Sequence, residues 1–203
     1  MALVCKIVTG DTDFMGIHGI FRGLYLTWIV TEIWVLVVTR TRKGGGDISD
    51  RGSLIVLWVV IAGSISLAGW AAAVYGPGEM HSAAWLRLPA VILMAAGLVL
   101  RWVSIYTLGK AFSANVAILD DQKLKVSGPF RWMQHPSYTG MVMILVAMGL
   151  ATRNWLSLGL MVVPPVAALL YRIHVEEAAL TRAFGAEYVE YSRTTKRLIP
   201  GIY

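Results

Sequence analysis

Two clusters of polar and ionisable side chains stand next to long apolar runs. The first lies in the segment 128–140, GPFRWMQHPSYTG, and the second comprises Arg172, His174, Glu176 and Glu177. Polar groups near hydrocarbon are costly and usually stay only where they bind something. Either cluster alone would fit a helix cap or an i,i+4 ion pair. Together, on the same side of a bundle, they predict an active site whose chemistry the spacing alone leaves open.

The local sequence predicts how each cluster is presented. Pro136 disfavours helix at His135 and favours the start of a helix at its own position, so His135 should lie in an irregular connection that turns it into a pocket. Arg172 and Glu176 stand four residues apart and should share one face of a helix that continues out of the membrane.

Composition indicates an integral membrane protein. The 203 residues are 57% hydrophobic and only 15% charged, and the mean hydropathy is +0.63. The net charge of +6 comes from basic residues in short loops beside apolar segments, which is typical of membrane topology and argues against a nucleic-acid partner. The one cysteine, Cys5, excludes an internal disulfide and a multi-cysteine metal site, and we assign no metal.

About five apolar runs reach or approach the length of roughly 20 residues that a helix needs to cross a bilayer. The expected spans are 17–38, 54–74, 83–108, 137–151 and 155–173, the last interrupted by Pro164-Pro165, where we expect a kink. The fold class predicted is therefore all-α, a polytopic membrane bundle forming one integral domain over 1–203. Residues 1–108 would supply N-terminal spans, and residues 109–203 the catalytic part.

Loop charges predict the orientation. Lysine and arginine are frequent after the first and third spans and in the tail, but the second connection, 76–84, has none. By the positive-inside rule the N-terminus is expected outside, with the C-terminus and both polar clusters cytoplasmic. The first fifteen residues lack the pattern of a cleavable signal peptide.

A family resemblance rests on two paired motifs. Arg131, His135, Pro136, Tyr138 and Gly140 fit Arg-x-x-x-His-Pro-x-Tyr-x-Gly, and the second motif runs from Arg172 through Tyr191 as RIHVEEAALTRAFGAEYVEY. Over residues 109–200 the chain resembles the isoprenylcysteine carboxyl methyltransferase family, within a wider group that includes phospholipid methyltransferases. The resemblance implies S-adenosyl-L-methionine as cofactor, a cytoplasmic pocket formed by the last two spans, the preceding connection and a C-terminal helix, and a lipophilic or prenylated acceptor reached through membrane lipid.

The resemblance also implies residue roles. Arg172 and Glu176 match the family's catalytic pair, with Arg172 contacting the acceptor and Glu176 the cofactor. The cofactor-binding positions are Gln122, Lys123, Leu124, Lys125, Phe130, His135, Pro136, Ser137, Tyr138 and Glu176. Three positions depart from the family pattern: Gln122 replaces a histidine, Lys125 an apolar residue, and Gln134 an arginine that commonly precedes the His-Pro pair.

Methyl transfer from a sulfonium suits such a pocket, because charge is neutralised in the reaction and positioning supplies much of the rate. A carboxylate acceptor, ionised near neutral pH, would need no general base, and Arg172 could bind it in a bidentate contact. A thiol, phenol or amine acceptor would need a base, for which His135 and Glu176 are the candidates.

Two other hypotheses stay open at the level of sequence. One is an NADPH-dependent membrane reductase of the sterol-reductase type, although the chain shows no evident basic set for a ribose phosphate. The other is a non-catalytic membrane protein whose polar clusters only anchor helices.

Overall fold

A computed structural model describes residues 15–38, 47–48, 52–74, 79–80, 83–112, 117–118 and 123–201. Cys5 and Gln122 lie outside these ranges. The helices are α1 (Met15–Val38), α2 (Ser53–Val74), α3 (Arg87–Leu108), α4 (Pro136–Ala151), α5 (Trp155–Phe184) and α6 (Ala186–Thr194). Single 3-10 turns cover Ala83–Leu86, Gly109–Ala111 and Gly128–Arg131.

The predicted bundle of about five apolar helices is confirmed. Four helices (α1, α2, α3 and α5) are long and apolar enough to cross a membrane, and α4, with 16 residues, is a shorter apolar helix. Large apolar side chains such as Val30, Val37 and Ile55 stay more than half exposed on the outside of the bundle. A surface of this kind is expected where helices face lipid, and the chain is an integral membrane protein.

A short antiparallel pairing, absent from the sequence prediction, joins two connections. Strand β1 (Asp47–Ile48) pairs with β2 (Ala117–Ile118), with Asp47 opposite Ile118. The segment after α1 is thereby tied to the segment after α3, at the same end of the bundle where α4 begins.

The closest helix packing joins α3 to α4. A methyl group added at Gly140 would lie 2.6 Å from the carbonyl oxygen of Gly97, and one added at Gly97 would lie 2.8 Å from that of Gly140. Glycine at both positions lets the two backbones touch. This contact sets Arg101, one turn beyond Gly97, against the start of α4.

A short turn joins α4 to α5 as a tight hairpin. Residues Thr152 and Arg153 form the turn, with Arg153 at φ 53°, and Asn154 caps α5 by accepting a hydrogen bond from the Ser157 N–H at 3.0 Å. Helix α5 is continuous to Phe184, past Pro164-Pro165. The kink expected at the two prolines stays a prediction.

Candidate active site

His135 lies at the irregular junction that Pro136 predicts. The 3-10 turn ends at Arg131, α4 begins at Pro136, and His135 between them has the non-helical angles φ −124° and ψ 60°. The His135 residue is only 5% exposed and lines a cavity that opens among α1, α2, α3, α4 and α5. The expectation that this connection turns the histidine inward is thus met by the backbone.

The C-terminal tail pairs with this junction. The N–H of Gln134 donates to the carbonyl of Lys196 at 2.7 Å, and the N–H of His135 donates to the carbonyl of Arg197 at 2.9 Å. One residue earlier, Met133 forms a parallel bridge with Lys196, and the Thr139 hydroxyl donates to the carbonyl of Leu198 at 2.7 Å. The tail therefore fixes the backbone that presents His135.

Gln134, where an arginine is usual in the resembled family, is buried in this tail contact. Its amide nitrogen donates to the carbonyls of Thr195, at 2.5 Å, and of Ser192, at 3.3 Å. Its amide oxygen accepts from the Tyr188 hydroxyl at 3.3 Å. A neutral amide, which both donates and accepts, fits this position because an arginine could only donate. Gln134 thus joins the His-Pro segment to α6 and the tail.

The Tyr138 hydroxyl connects the two sequence clusters. It donates to the Glu176 carboxylate (Oε2) at 2.6 Å and accepts from Nε of Arg172 at 2.9 Å. Arg172, which is 3% exposed, also donates from Nη1 to the Ser53 hydroxyl at 3.0 Å. Hydrogen bonds to ionised groups are among the stronger ones in proteins, and they join Arg172, Glu176 and Tyr138 into one hydrogen-bonded unit.

His135 stands between two carboxylates. Its Nδ1 lies 3.8 Å from Oε2 of Glu176, and its Nε2 lies 3.5 Å from Oε1 of Glu177. Arg197 holds Glu177 in a bidentate pair at 2.7 and 3.0 Å. Although Nε2 is within electrostatic reach of Glu177, it is buried and makes no hydrogen bond. A buried polar atom without a hydrogen bond calls for an explanation, and a ligand that binds there is one.

A buried ion pair, which sequence reasoning did not assign to the site, closes the cavity from the N-terminal side. The Arg101 guanidinium contacts both oxygens of Glu32, with Nη2 to Oε2 at 2.6 Å, and donates from Nη1 to the Ser137 hydroxyl at 2.8 Å. Both charged residues are less than 10% exposed and line the same cavity as His135. In the sequence, Glu32 and Arg101 are charged residues inside two apolar spans, which suggests a function, but the sequence does not show that they pair.

The structure brings most of the expected site residues together. Phe130, His135, Pro136, Ser137, Tyr138, Arg172 and Glu176 all line the cavity. Lys123, Leu124 and Lys125 do not line it, and both lysines are exposed. Their proposed contact with a cofactor thus has no counterpart in the cavity formed by the described residues. The remaining expected residue, Gln122, lies outside the described ranges.

Two tyrosines of α6 support this face of the site as neutral hydrogen-bond donors. The Tyr191 hydroxyl donates to the carbonyl of Phe130 at 2.7 Å, and burial raises the pKa of Tyr191 to about 12. Burial, followed by the nearby carboxylates of Glu177 and Glu176, raises the pKa of Tyr188 as well. Both phenols therefore stay protonated far above neutral pH.

Comparison with known proteins agrees with this arrangement. Residues 90–182 match the isoprenylcysteine carboxyl methyltransferase (ICMT) family. Over this range, a little under half of its length, the chain is similar to this family. Its members are membrane methyltransferases, and the matched range includes Arg101, the His-Pro segment and the Arg172–Glu176 pair, but not Glu32, Ser53 or the tail.

Similar ICMT proteins extend the match beyond that range. Protein-S-isoprenylcysteine O-methyltransferase B of Arabidopsis thaliana is 26% identical over 197 residues, which cover 95% of this chain and 97% of that protein. The Saccharomyces cerevisiae protein-S-isoprenylcysteine O-methyltransferase is 33% identical over 113 residues, covering 55% of this chain and 47% of that one. The structure of the eukaryotic intramembrane Ras methyltransferase ICMT superposes with a TM-score of 0.63 at 19% identity, over 98% of this chain and 71% of that chain, which shows a shared fold.

Proposed function

We propose that the chain transfers the methyl group of S-adenosyl-L-methionine to the carboxylate of an isoprenylcysteine-like acceptor. The observation that carries the proposal is the unit formed by Arg172, Tyr138 and Glu176. In this unit a cation and a carboxylate share one hydroxyl beside a buried histidine. Such a site offers an anion-binding group and a cation-binding group only a few ångströms apart, as a reaction between a sulfonium and a carboxylate requires.

The residues present fit the cofactor. Glu176 keeps 29% of its side chain exposed toward the cavity, where it can bind a cationic group, and Nε2 of His135 is a buried atom without a hydrogen-bond partner. Phe130 contributes a buried aromatic wall, and Pro136, Ser137 and Tyr138 lie beside it. When bound, S-adenosyl-L-methionine supplies an activated methyl group on a sulfonium.

Arg172 is the group proposed to hold the acceptor. Tyr138 and Ser53 fix its guanidinium from two different helices, so it is positioned before any acceptor binds. A carboxylate needs no deprotonation near neutral pH, which leaves His135 and Glu176 with positioning and electrostatic roles rather than that of a base. Exclusion of water by the surrounding apolar residues strengthens each of these contacts.

The lipophilic part of the acceptor is proposed to lie along the apolar side of the same cavity. Leu54, Leu57, Trp58 and Met141 line it between α1, α2 and α4. An acceptor carried in the bilayer could enter sideways between helices and place its polar end at Arg172. Because Glu32, Ser53 and Arg101 also belong to the site, we extend the catalytic part proposed for residues 109–203 to include the inner ends of the first three spans.

The orientation follows as a further part of the proposal. Lys123, Lys125 and Arg131, which precede α4, and the basic tail lie at the same end as the site. The site and the C-terminus are therefore proposed to face the cytoplasm, with the N-terminus outside. A water-soluble cofactor would then reach His135 and Glu176 directly.

Calorimetric titration of the purified full chain with S-adenosylhomocysteine tests the cofactor. We expect saturable heat with the wild type, a large loss of affinity in His135→Ala and Glu176→Ala, and no change in Arg193→Gln, a control on the exposed face of α6. Absence of heat with the wild type, together with tight binding of NADPH, would replace methyl transfer with a reductase. Unchanged affinity for S-adenosylhomocysteine in His135→Ala and Glu176→Ala would instead indicate that the polar clusters only hold the helices together.

A further inference from the structure

The buried pair of Glu32 and Arg101 lies inside two helices that are long and apolar enough to cross a membrane. The two residues are 4% and 7% exposed, and they line the site cavity beside the groups proposed to act on the cofactor and the acceptor. Two charges are costly to bury, and apolar side chains of similar volume in their place often leave a protein equally stable or more stable. Stability alone therefore does not explain why this pair is present.

The Arg101 guanidinium connects the pair to the first turn of α4. Its Nε and Nη2 donate to the two oxygens of Glu32, which fixes the plane of the guanidinium and hence the direction of Nη1. From that position Nη1 donates to the hydroxyl of Ser137 at 2.8 Å and to the carbonyl of Ser137 at 3.4 Å. Ser137 is the second residue of α4 and is 8% exposed. Glu32 of α1 thus acts on the start of α4 through a side chain of α3.

The backbones beside this contact are too close for Arg101 to adjust freely. A methyl group added at Gly140 would lie 3.0 Å from the backbone nitrogen of Arg101 and 3.1 Å from its Cβ. Ser137 is followed by Tyr138, whose hydroxyl joins Arg172 to Glu176. A change in the orientation of the first turn of α4 would therefore move the groups proposed to bind the cofactor.

We propose that Glu32 and Arg101 are positioning residues for methyl transfer. Glu32 orients the Arg101 guanidinium, and Arg101 holds Ser137 and with it the first turn of α4. This inference rests on the proposed function, because it takes Ser137 and Tyr138 as part of the cofactor site. The pair adds no net charge to the cavity, so it orients the site and does not attract a ligand. Glu32 lies outside residues 90–182, so the match to the ICMT family assigns it no role.

A double variant with apolar side chains separates orientation from stability. Glu32→Leu/Arg101→Met leaves no buried charge, so its unfolding temperature should stay within a few degrees of the wild type. Arg101→Met alone leaves the Glu32 carboxylate buried without its partner and should lower that temperature by about 10 °C. The affinity for S-adenosylhomocysteine, measured by calorimetry, should nevertheless fall about tenfold in the double variant, since Ser137 loses a charge-assisted hydrogen bond.

Two further variants control for indirect effects. Glu190→Gln/Arg193→Gln removes an exposed ion pair of α6 and should change neither the unfolding temperature nor the affinity. Ser137→Ala leaves the buried pair in place and should lower the affinity. Adding Ser137→Ala to the double variant should cause no further loss, because the pair acts through Ser137. Additive losses would overturn the proposal, and Glu32→Gln provides the same cycle in case the apolar double variant does not fold.

The remaining outcomes distinguish this role from its alternatives. A double variant that folds and keeps wild-type affinity, or one that unfolds, would show that the pair only anchors α1 to the bundle. A loss confined to the KM of the acceptor, with unchanged affinity for S-adenosylhomocysteine, would place Arg101 on the acceptor instead. Absence of heat with the wild type would overturn the proposed function itself, whereas heat that is equal in the wild type and the double variant would overturn the positioning role alone.

Discussion

The two ends of this helix bundle differ in the charged side chains that line their cavities. At the site, each buried arginine meets a fixed polar partner: Arg101 contacts Glu32, and Arg172 contacts the hydroxyl that also binds Glu176. At the opposite end, a cavity is lined by His18, Arg22, Arg87 and Met161, and no aspartate or glutamate is among its described lining residues. The arrangement at the site can bind ligand groups of both signs in fixed positions.

Arginines at the two ends also differ in how much they contribute to stability. Removing one partner of a buried ion pair leaves a charge in a poorly solvating environment, which is far more costly than removing an exposed charge. Replacing an arginine by glutamine at each end, and comparing the free energies of unfolding, tests this difference.

The largest effect is expected at Arg101. Arg101→Gln leaves the Glu32 carboxylate buried with a weaker partner, so the free energy of unfolding should fall by about 3–5 kcal/mol. Arg22→Gln, which removes an exposed arginine from the same bundle, should change it by less than about 0.5 kcal/mol. Thermal unfolding in one detergent checks both, and equal losses in the two variants would contradict the distinction between the ends.

Arg172→Gln should abolish most of the acceptor binding while the bundle stays folded. We expect kcat/KM to fall about a hundredfold, about 2.7 kcal/mol at the transition state, with affinity for S-adenosylhomocysteine within a few-fold of wild type. Arg172→Lys keeps the positive charge but loses the bidentate set of donors. Its kcat/KM should therefore lie between those of the wild type and Arg172→Gln. A parallel loss of S-adenosylhomocysteine binding would place Arg172 at the cofactor instead.

Tyr138→Phe removes the hydroxyl shared by Arg172 and Glu176 but keeps the ring beside His135. The ring contact, at 5.6 Å between centroids, should preserve the packing, whereas the lost hydrogen bonds should lower kcat/KM about tenfold. Steady-state rates of Tyr138→Phe and of the double variant Tyr138→Phe/Arg172→Gln form a mutant cycle. Strict additivity would show that the hydroxyl does not position Arg172.

The smallest effect is expected from alkaline pH. Burial raises the pKa of Tyr191 to about 12 from its usual 10, so the folded chain holds the proton more tightly than the unfolded chain. That contribution to stability is complete below pH 10 and is lost as the pH rises from 10 to 12. Unfolding temperatures measured across this pH range should fall less steeply in Tyr191→Phe than in the wild type. Identical slopes in the two proteins would show that Tyr191 does not contribute to the loss of stability.

Sequence patterns predicted the parts of the molecule that depend on neighbouring residues. Hydropathy located the spans, Pro136 predicted the start of α4, and the four-residue spacing placed Arg172 and Glu176 on one face. Contacts between distant segments escaped prediction because nothing local encodes them. Glu32 and Arg101 are 69 residues apart, Ser53 and Arg172 are 119 apart, and the pairing of the tail with Gln134 depends on backbone groups that every residue has.

The departure at Gln134 shows the same limit. In the sequence alone, Gln134 in place of an arginine removes a positive charge beside His135, which would be expected to affect ligand binding. In the fold its amide contacts the carbonyls of Ser192 and Thr195 and the Tyr188 hydroxyl, so its consequence is for the tail. The exposed position of Lys123 and Lys125 is a second case, because a motif position does not determine which way a side chain points.

Formation of a methyl ester tests the proposed reaction most directly. The full chain, reconstituted in lipid, is incubated with S-adenosyl-L-methionine carrying a labelled methyl group and with farnesylcysteine, either as the free carboxylate or as its carboxamide. We expect base-labile label on the carboxylate alone, and loss of this label in Arg172→Gln. Label on the carboxamide, or equal labelling by Arg172→Gln, would contradict a site in which Arg172 holds an acceptor carboxylate.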